Sequence, residues 1–238
     1  MRSLLSGLLL LLGVATSAEA KCAGEWLDVL PAGEVELPKE PHVLVRLGGR
    51  LEKHDPGKDL EWTAGAQHVG VKVVTSFKGY SQQVSLVKPE RALQPGKWTL
   101  AFKKDPKLAE LAGRVVGTWR VSEEADSTPP ALTGTPALKD TSWQEYGCGP
   151  GSSITLSGAG VNEPHAFIEA AVTVGGVTTV AVLGRRDDLV ELGHGMCSGN
   201  FDLAPGTKAT VVLTPIDLAG NRGAKSAPID VTAPGPKP

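Results

Sequence analysis

The chain holds 238 residues with 26 acidic and 24 basic side chains, and a formal charge of −2 gives no electrostatic footprint for nucleic acid or an anionic membrane surface. Hydrophobic residues make up 41%, too apolar for a disordered chain, and the 29 glycines and 18 prolines fall at punctuation points rather than in a collagen-like repeat. What remains is a soluble, β-rich globular class.

Residues 1–20 read as a secretory signal peptide. Arg2 supplies the short positive region, Leu4 to Val14 the apolar stretch, and Ala18-Glu19-Ala20 the A-x-A cleavage site. The apolar stretch is too short to cross a hydrocarbon core of about 30 Å, and no later segment approaches that length, so no transmembrane segment is expected. Lys21, rather than a small residue, precedes Cys22, which argues against lipoprotein processing. The mature chain is expected to begin near Lys21, in the periplasm or outside the cell, where disulfides persist.

The mature sequence then shows short apolar or alternating runs bounded by Gly, Pro, Asp or Lys. In order they are His42–Leu47, Val69–Phe77, Tyr80–Leu86 after a tight Lys78-Gly79 connection, Trp98–Phe102 and Val115–Val121. Pro106–Leu111 is the one helical candidate, a turn or so at most. This set predicts a first β-sandwich over residues 22–122. Residues 123–130 are polar, end in Pro129-Pro130, and read as a short stiff linker. The pattern restarts with Ile154–Leu156, Phe167–Val174, a Gly175-Gly176 hairpin turn, Val177–Leu183, Thr207–Ile216 and Ile229–Val231. It predicts a second sandwich over residues 131–232, followed by a Pro-rich tail, 233–238, expected to be disordered.

A weak internal repeat supports this division. Leu93-Gln94-Pro95-Gly96 precedes the run at Trp98, and Leu203-Ala204-Pro205-Gly206 precedes the strand over residues 209–213, an offset of 110 residues. The final runs, Trp119–Val121 and Ile229–Val231, keep the same offset. L-x-P-G suits a corner turn: Pro presets φ, Gly accepts positive φ, and Leu packs beneath the next strand.

These L-x-P-G segments, together with Asp217-Leu218-Ala219-Gly220-Asn221 and the Asp126…Pro129-Pro130 junction, resemble tandem bacterial Ig-like (fibronectin-III-like) domains of exported proteins. The resemblance covers most of residues 24–233. It implies two antiparallel sandwiches, an all-β fold, used as spacers, adhesion or binding modules, or accessory domains. The first half lacks D-x-A-G-N and matches more loosely. The opening strands also resemble the periplasmic copper-carrier sandwich. That family's amino-terminal His and Met- or His-rich segments are missing, so copper binding is not carried over.

The chemistry-bearing residues are few. Cys148 and Cys197 lie in Gly-rich stretches of the second half and read as a loop-to-loop disulfide closing 49 residues, for which chain entropy supplies about 4 kcal/mol at most. Two free buried thiols are the competing reading, and Cys22 is the odd third cysteine, able to displace either partner. His194-Gly195-Met196-Cys197 holds soft ligands in the wrong order for a blue-copper loop. Asp187-Asp188 with Glu191, and Glu123-Glu124 with Asp126, lack calcium-loop spacing, and solvated turns are the simpler account. No metal and no cofactor is expected. In D-L-A-G-N, Asp217 is expected to accept backbone N–H groups across a turn that Gly220 and Asn221 permit. No nucleophile elbow, H-E-x-x-H, Walker loop or dinucleotide fingerprint occurs, and the Gly-rich 149–153 stretch leads into a strand rather than a helix.

Trp98 and Trp119 read as core. The resemblance places a long loop between the first two strands of the second sandwich, Thr141–Ser153, carrying Trp143, Glu145 and Tyr146. A second loop, Glu191–Asn200, carries His194. A Cys148–Cys197 bridge would bring the loops together, so Trp143, Tyr146 and His194 are the candidate ligand contacts, with Glu145 beside His194, while packing of Trp143 and Tyr146 against the disulfide is the simpler reading. The expected function is a non-catalytic binding or structural module of the cell envelope, with an envelope protein or glycan as partner. A carbohydrate- or peptide-binding accessory module is the alternative, and a secreted hydrolase or inhibitor the less favoured one.

Overall fold

The computed structural model describes residues 24–147 and 149–236. The expected signal peptide (residues 1–20), Cys22, Cys148 and the last two residues lie outside them. The described residues are 53% strand and 7% helix, as an all-β reading requires.

The first half contributes β1 (Trp26–Leu30), β2 (Glu36–Leu37), β3 (Val43–Gly48), β4 (Leu60–Ala64), β5 (Gln67–Gly79), β6 (Gln82–Pro89), β7 (Gly96–Phe102) and β8 (Val115–Val121). They form one 8-stranded sheet in the order β1-β3-β6-β5-β4-β7-β8-β2. The corner is β5. Its residues 67–70 pair with β4 and its residues 71–79 with β6, with a bulge between Val73 and Thr75. The sheet therefore folds over on itself. The two end strands, β1 and β2, are neighbours in sequence, and Trp119 of β8 donates its indole N–H to the Pro31 carbonyl between them at 3.0 Å. Inside the fold lie Trp62, Trp98, Trp119, Leu37, Leu60 and Leu100. Every pairing is antiparallel except β2 with β8, which is parallel.

The second half builds β9 (Ala137–Tyr146), β10 (Gly149–Ser157), β11 (Phe167–Val174), β12 (Val177–Leu183), β13 (Val190–His194), β14 (Lys208–Ile216) and β15 (Ile229–Thr232). A 3-stranded sheet, β13-β10-β9, faces a 4-stranded sheet, β12-β11-β14-β15. Alternate residues of β11 and β14 (Ile168, Ala170 and Val172 with Ala209, Val211 and Leu213) fill the core against Ile154, Leu156 and Leu192. Gly175 and Gly176 both take positive φ, 56° and 83°, which a two-residue turn matching strand twist demands.

Both L-x-P-G segments are corner turns. Leu93 is buried and Leu203 packs on the second core, while Gly96 and Gly206 have φ of 135° and 77°. Pro106–Leu111 is a short 3-10 turn capped by Asp105, whose carboxylate accepts the Lys107 N–H at 2.9 Å.

Several elements differ from the sequence expectation. Strands β1, β2, β4, β9 and β13 lie outside the predicted runs. The clearest case is β9, which replaces the loop expected from Thr141. It is an edge strand whose residues are almost all exposed, so it carries no apolar alternation to read. Lys78-Gly79 ends β5, and the turn itself is Tyr80-Ser81, with Ser81 at a φ of 49°. Ala233, placed in the disordered tail, is buried: it donates to the Thr207 carbonyl at 2.8 Å and accepts from Gly206 N–H at 2.9 Å.

The two halves share a third apolar core. Leu44, Val84 and Leu86 of the first half meet Phe167, Val182 and Ile216 of the second, with Leu30 and Leu218 packed alongside. Period-two geometry explains the apolar run His42–Leu47: Val43, Val45 and Leu47 point into the first core, and Leu44 points into the seam. Backbone bonds fasten the same seam. His42 N–H donates to the Leu218 carbonyl at 2.7 Å, and Tyr80 and Gly199 exchange two N–H···O bonds of 3.0 Å each. Gln82 donates to Asn200 at 3.0 Å, and the Phe77 and Phe201 rings lie 5.1 Å apart.

Among the described residues no helix is long and apolar enough to cross a membrane.

Candidate functional site

Trp143, Ser152 and His194 form one row across the 3-stranded sheet, because Trp143 pairs with Ser152 and Ser152 with His194. Three residues along β9, the Tyr146 ring lies over Gly151, where an added Cβ would meet Tyr146 Cε2 at 2.8 Å. The structure thus puts Trp143 and His194 in one row on one face of the sheet and Tyr146 on the opposite face, all on strands rather than on facing loops.

His194 is not the exposed contact that its sequence position suggested. It is 7% exposed, and its ring stacks on Tyr80 of the first half with centroids 4.6 Å apart. Nδ1 lies 2.9 Å from the Gly195 carbonyl oxygen and Nε2 lies 3.4 Å from Asp202 Oδ1. The neighbouring carboxylate is therefore Asp202, whereas Glu145 stands opposite Pro150 two rows away. The imidazole joins the halves through its stack on Tyr80, while the acceptors near its nitrogens both belong to the second half. Tyr146 keeps 37% exposure and remains available to a ligand. The expected Cys148–Cys197 pairing involves a residue outside those described.

A hollow at the seam takes in His194, one of the candidate contacts, in its lining. A cavity of about 560 Å³ opens between the halves, with an apolar floor of Leu30, Leu44, Val84, Val182 and Leu183. Around it stand Arg46, Arg185 and Arg186, with Glu191 as the single acid of the lining. Arg46 pairs with Asp28. Arg185 donates to the carbonyl oxygens of Asp187, Glu163 and Pro164 at 2.6, 2.7 and 2.9 Å. Among the described residues neither Arg185 nor Arg186 has a carboxylate partner. The Nε–H groups of Arg46 and Arg185 are buried and have no acceptor. A buried donor without a partner costs about 1–3 kcal/mol.

A separate acidic group sits where residues 123–130 meet the second half. One carboxylate oxygen each from Asp126, Glu163 and Asp217 lies within 4.8 Å of the others. The structure thus joins Asp126 to partners distant in sequence rather than to Glu123 and Glu124. Asp217 is fully buried and closes its turn as expected, accepting the Asn221 N–H and side-chain amide at 2.8 Å each. Asn221 also donates to the Asp126 carbonyl at 3.1 Å, tying the connecting segment down. Three carboxylates supply hard oxygens of the kind calcium takes, but fall short of its usual six to eight ligands.

Charge crowding here sets a pH response. Burial, then Asp217 and Asp126, raise the Glu163 carboxyl above its ordinary 4.5. The folded state holds that proton more tightly than the unfolded chain, so stability falls as pH climbs from 4.5 through the folded value. His42 acts in the opposite sense: burial first, then Lys88, hold it below its ordinary 6.5 against the pull of Asp217. Its contribution is complete above 6.5 and is lost as pH falls from 6.5 through the folded value. Thermal melts across this range are expected to show Glu163→Gln raising Tm at neutral pH but not in acid, and His42→Gln flattening the acid loss. A Glu163→Gln melt that runs parallel to the parent at every pH contradicts the first assignment.

No protein family matches the sequence, and no curated protein matches it. Among solved structures, the chain is similar to part of a type I pullulanase from Bacillus subtilis complexed with maltose, at 5% identity over 85% of this chain and 24% of that chain, with a TM-score of 0.27. A β-1,2-glucanase from Parabacteroides distasonis matches at 11% identity over 82% of this chain and 28% of that chain, with a TM-score of 0.31. A cytokine receptor complex matches at 12% identity over 86% of this chain and 95% of that chain, with a TM-score of 0.26. The chain spans about a quarter of the length of the two enzymes.

Proposed function

We propose that the chain is an exported, non-catalytic binding module of a bacterial cell envelope, built from two Ig-like (fibronectin-III-like) sandwiches. The observation that carries this reading is the seam: two sandwiches joined through a shared apolar core leave a preformed cleft between them, the commonest place for a ligand site. The signal-peptide reading of residues 1–20 supports export to the periplasm or medium. Export in turn supports a Cys148–Cys197 disulfide. Against catalysis stands the burial of His194, which is 7% exposed.

The test uses the mature chain, purified from the periplasmic or medium fraction and incubated with envelope fragments. Retention is expected, and Ser198→Trp, which places an indole in the cleft wall, is expected to abolish it without lowering Tm. Retention indifferent to Ser198→Trp overturns the cleft reading. Turnover of an ester, peptide or glycoside that vanishes with His194→Ala overturns the non-enzyme assignment.

A further inference from the structure

We infer that β9 is a self-docking edge, through which two copies of the chain join antiparallel about a two-fold axis at Ser142. The inference goes beyond the binding-module reading and stands apart from it. Strand β9 runs for 10 residues, none of them buried, and among the described residues β10 is its one ladder partner. No backbone hydrogen bond printed outside that ladder reaches it. Such an edge presents a row of N–H and C=O groups that a further strand can pair with.

Two contacts fix which groups face outward. Thr141 N–H donates to the Asp140 carboxylate at 2.8 Å. The Gly193 carbonyl of β13 turns away from β10 to accept the Asn200 N–H at 2.8 Å, which sets Ser152 and Ile154 toward β13 and Ser153 toward Ser142 of β9. Backbone direction alternates along a strand, so Thr141, Trp143 and Glu145 all turn their backbone groups to the open side. Asp140 guards the first of these donors, and those of Trp143 and Glu145 are left for a partner strand.

Faces and charge choose the register. Two sheets continue into one only when opposite side chains share a face, so the axis passes through a residue rather than between two. Centred on Ser142, the Trp143 N–H of each copy meets the Thr141 carbonyl of the other, and Lys139 stands against Glu145 on both sides of the axis. Centred on Thr141, Lys139 meets Trp143; centred on Trp143, Asp140 meets Tyr146; neither opposes unlike charges. Among the described residues Lys139 and Glu145 have no ion-pair partner within the chain. A bulge leaves Lys139 out of the β10 register, so its long side chain is free to reach along the edge. The joint also covers the exposed Leu138 and Tyr146, one of each at either end.

Sedimentation velocity of the mature chain, from micromolar to millimolar concentration, is expected to show a monomer–dimer equilibrium. Lys139→Glu and Glu145→Lys are each expected to weaken self-association about tenfold, because like charges then face each other on both sides of the axis. Mixing the two variants sets Glu against Lys again at both places, and the mixture is expected to dimerise as tightly as the parent. The doubly substituted chain is expected to do the same. Tm at the lowest concentration is expected to stay constant throughout, since neither side chain has an ion pair to lose. A chain that stays monomeric at every concentration, single variants that dimerise like the parent, or a mixture no tighter than its components each overturns the inference.

Discussion

Phe167→Ala is expected to lower the unfolding free energy by about 3–5 kcal/mol and to uncouple the two halves. Phe167 is 2% exposed, yet it lies on the face of β11 turned away from the second core. Its neighbours Ile168, Ala170 and Val172 fill that core, while Phe167 joins Leu44, Val84, Leu86, Val182 and Ile216 between the halves. Removing the ring leaves a cavity that neither sandwich can close without shifting the other. Calorimetry of the parent is expected to give one cooperative transition. The variant is expected to split it, with seam amides around Tyr80 and Gly199 exchanging faster than those of either core. An unchanged melting profile would mean that the halves are coupled only by their connecting segment.

Trp62→Ala is expected to cost a similar amount, about 3–5 kcal/mol, for a different reason. Trp62 is fully buried on β4, and its ring lies 5.6 Å from that of Trp119 across the folded sheet. The informative comparison is Trp62→Phe. The indole N–H of Trp62 is buried with no acceptor, so a phenyl ring removes a standing penalty while keeping much of the apolar volume. Urea melts are expected to place Trp62→Phe within about 1.5 kcal/mol of the parent. A Phe variant as damaged as the Ala variant would assign the indole a hydrogen bond.

The sandwich strands themselves were legible because burial on one face writes a period of two. Val211, Leu213 and Ala209 in β14, or Trp98 and Leu100 in β7, announce both strand and core. Turn chemistry was equally direct at Gly175-Gly176, at the two L-x-P-G corners and at Asp217–Asn221, where local backbone demands choose the residue. Strand β9 was not, since an edge strand exposed to water has no reason to alternate.

The sequence by itself determined the all-β class, most of the core strands, the corner turns and the burial of Trp98 and Trp119, all consequences of local geometry and one-sided burial. Only the tertiary structure decided what the second face of a strand touches. The run His42–Leu47 showed that both faces of β3 are apolar, but not that Leu44 would meet Phe167. The same long-range docking placed His194 against Tyr80, gathered Asp126, Glu163 and Asp217, and set Arg46 of β3 across a hollow from Arg185 and Arg186. These residues are more than 35 positions apart and follow no shared period. Their meeting depends on how two finished surfaces fit, and no local pattern in the chain encodes that fit.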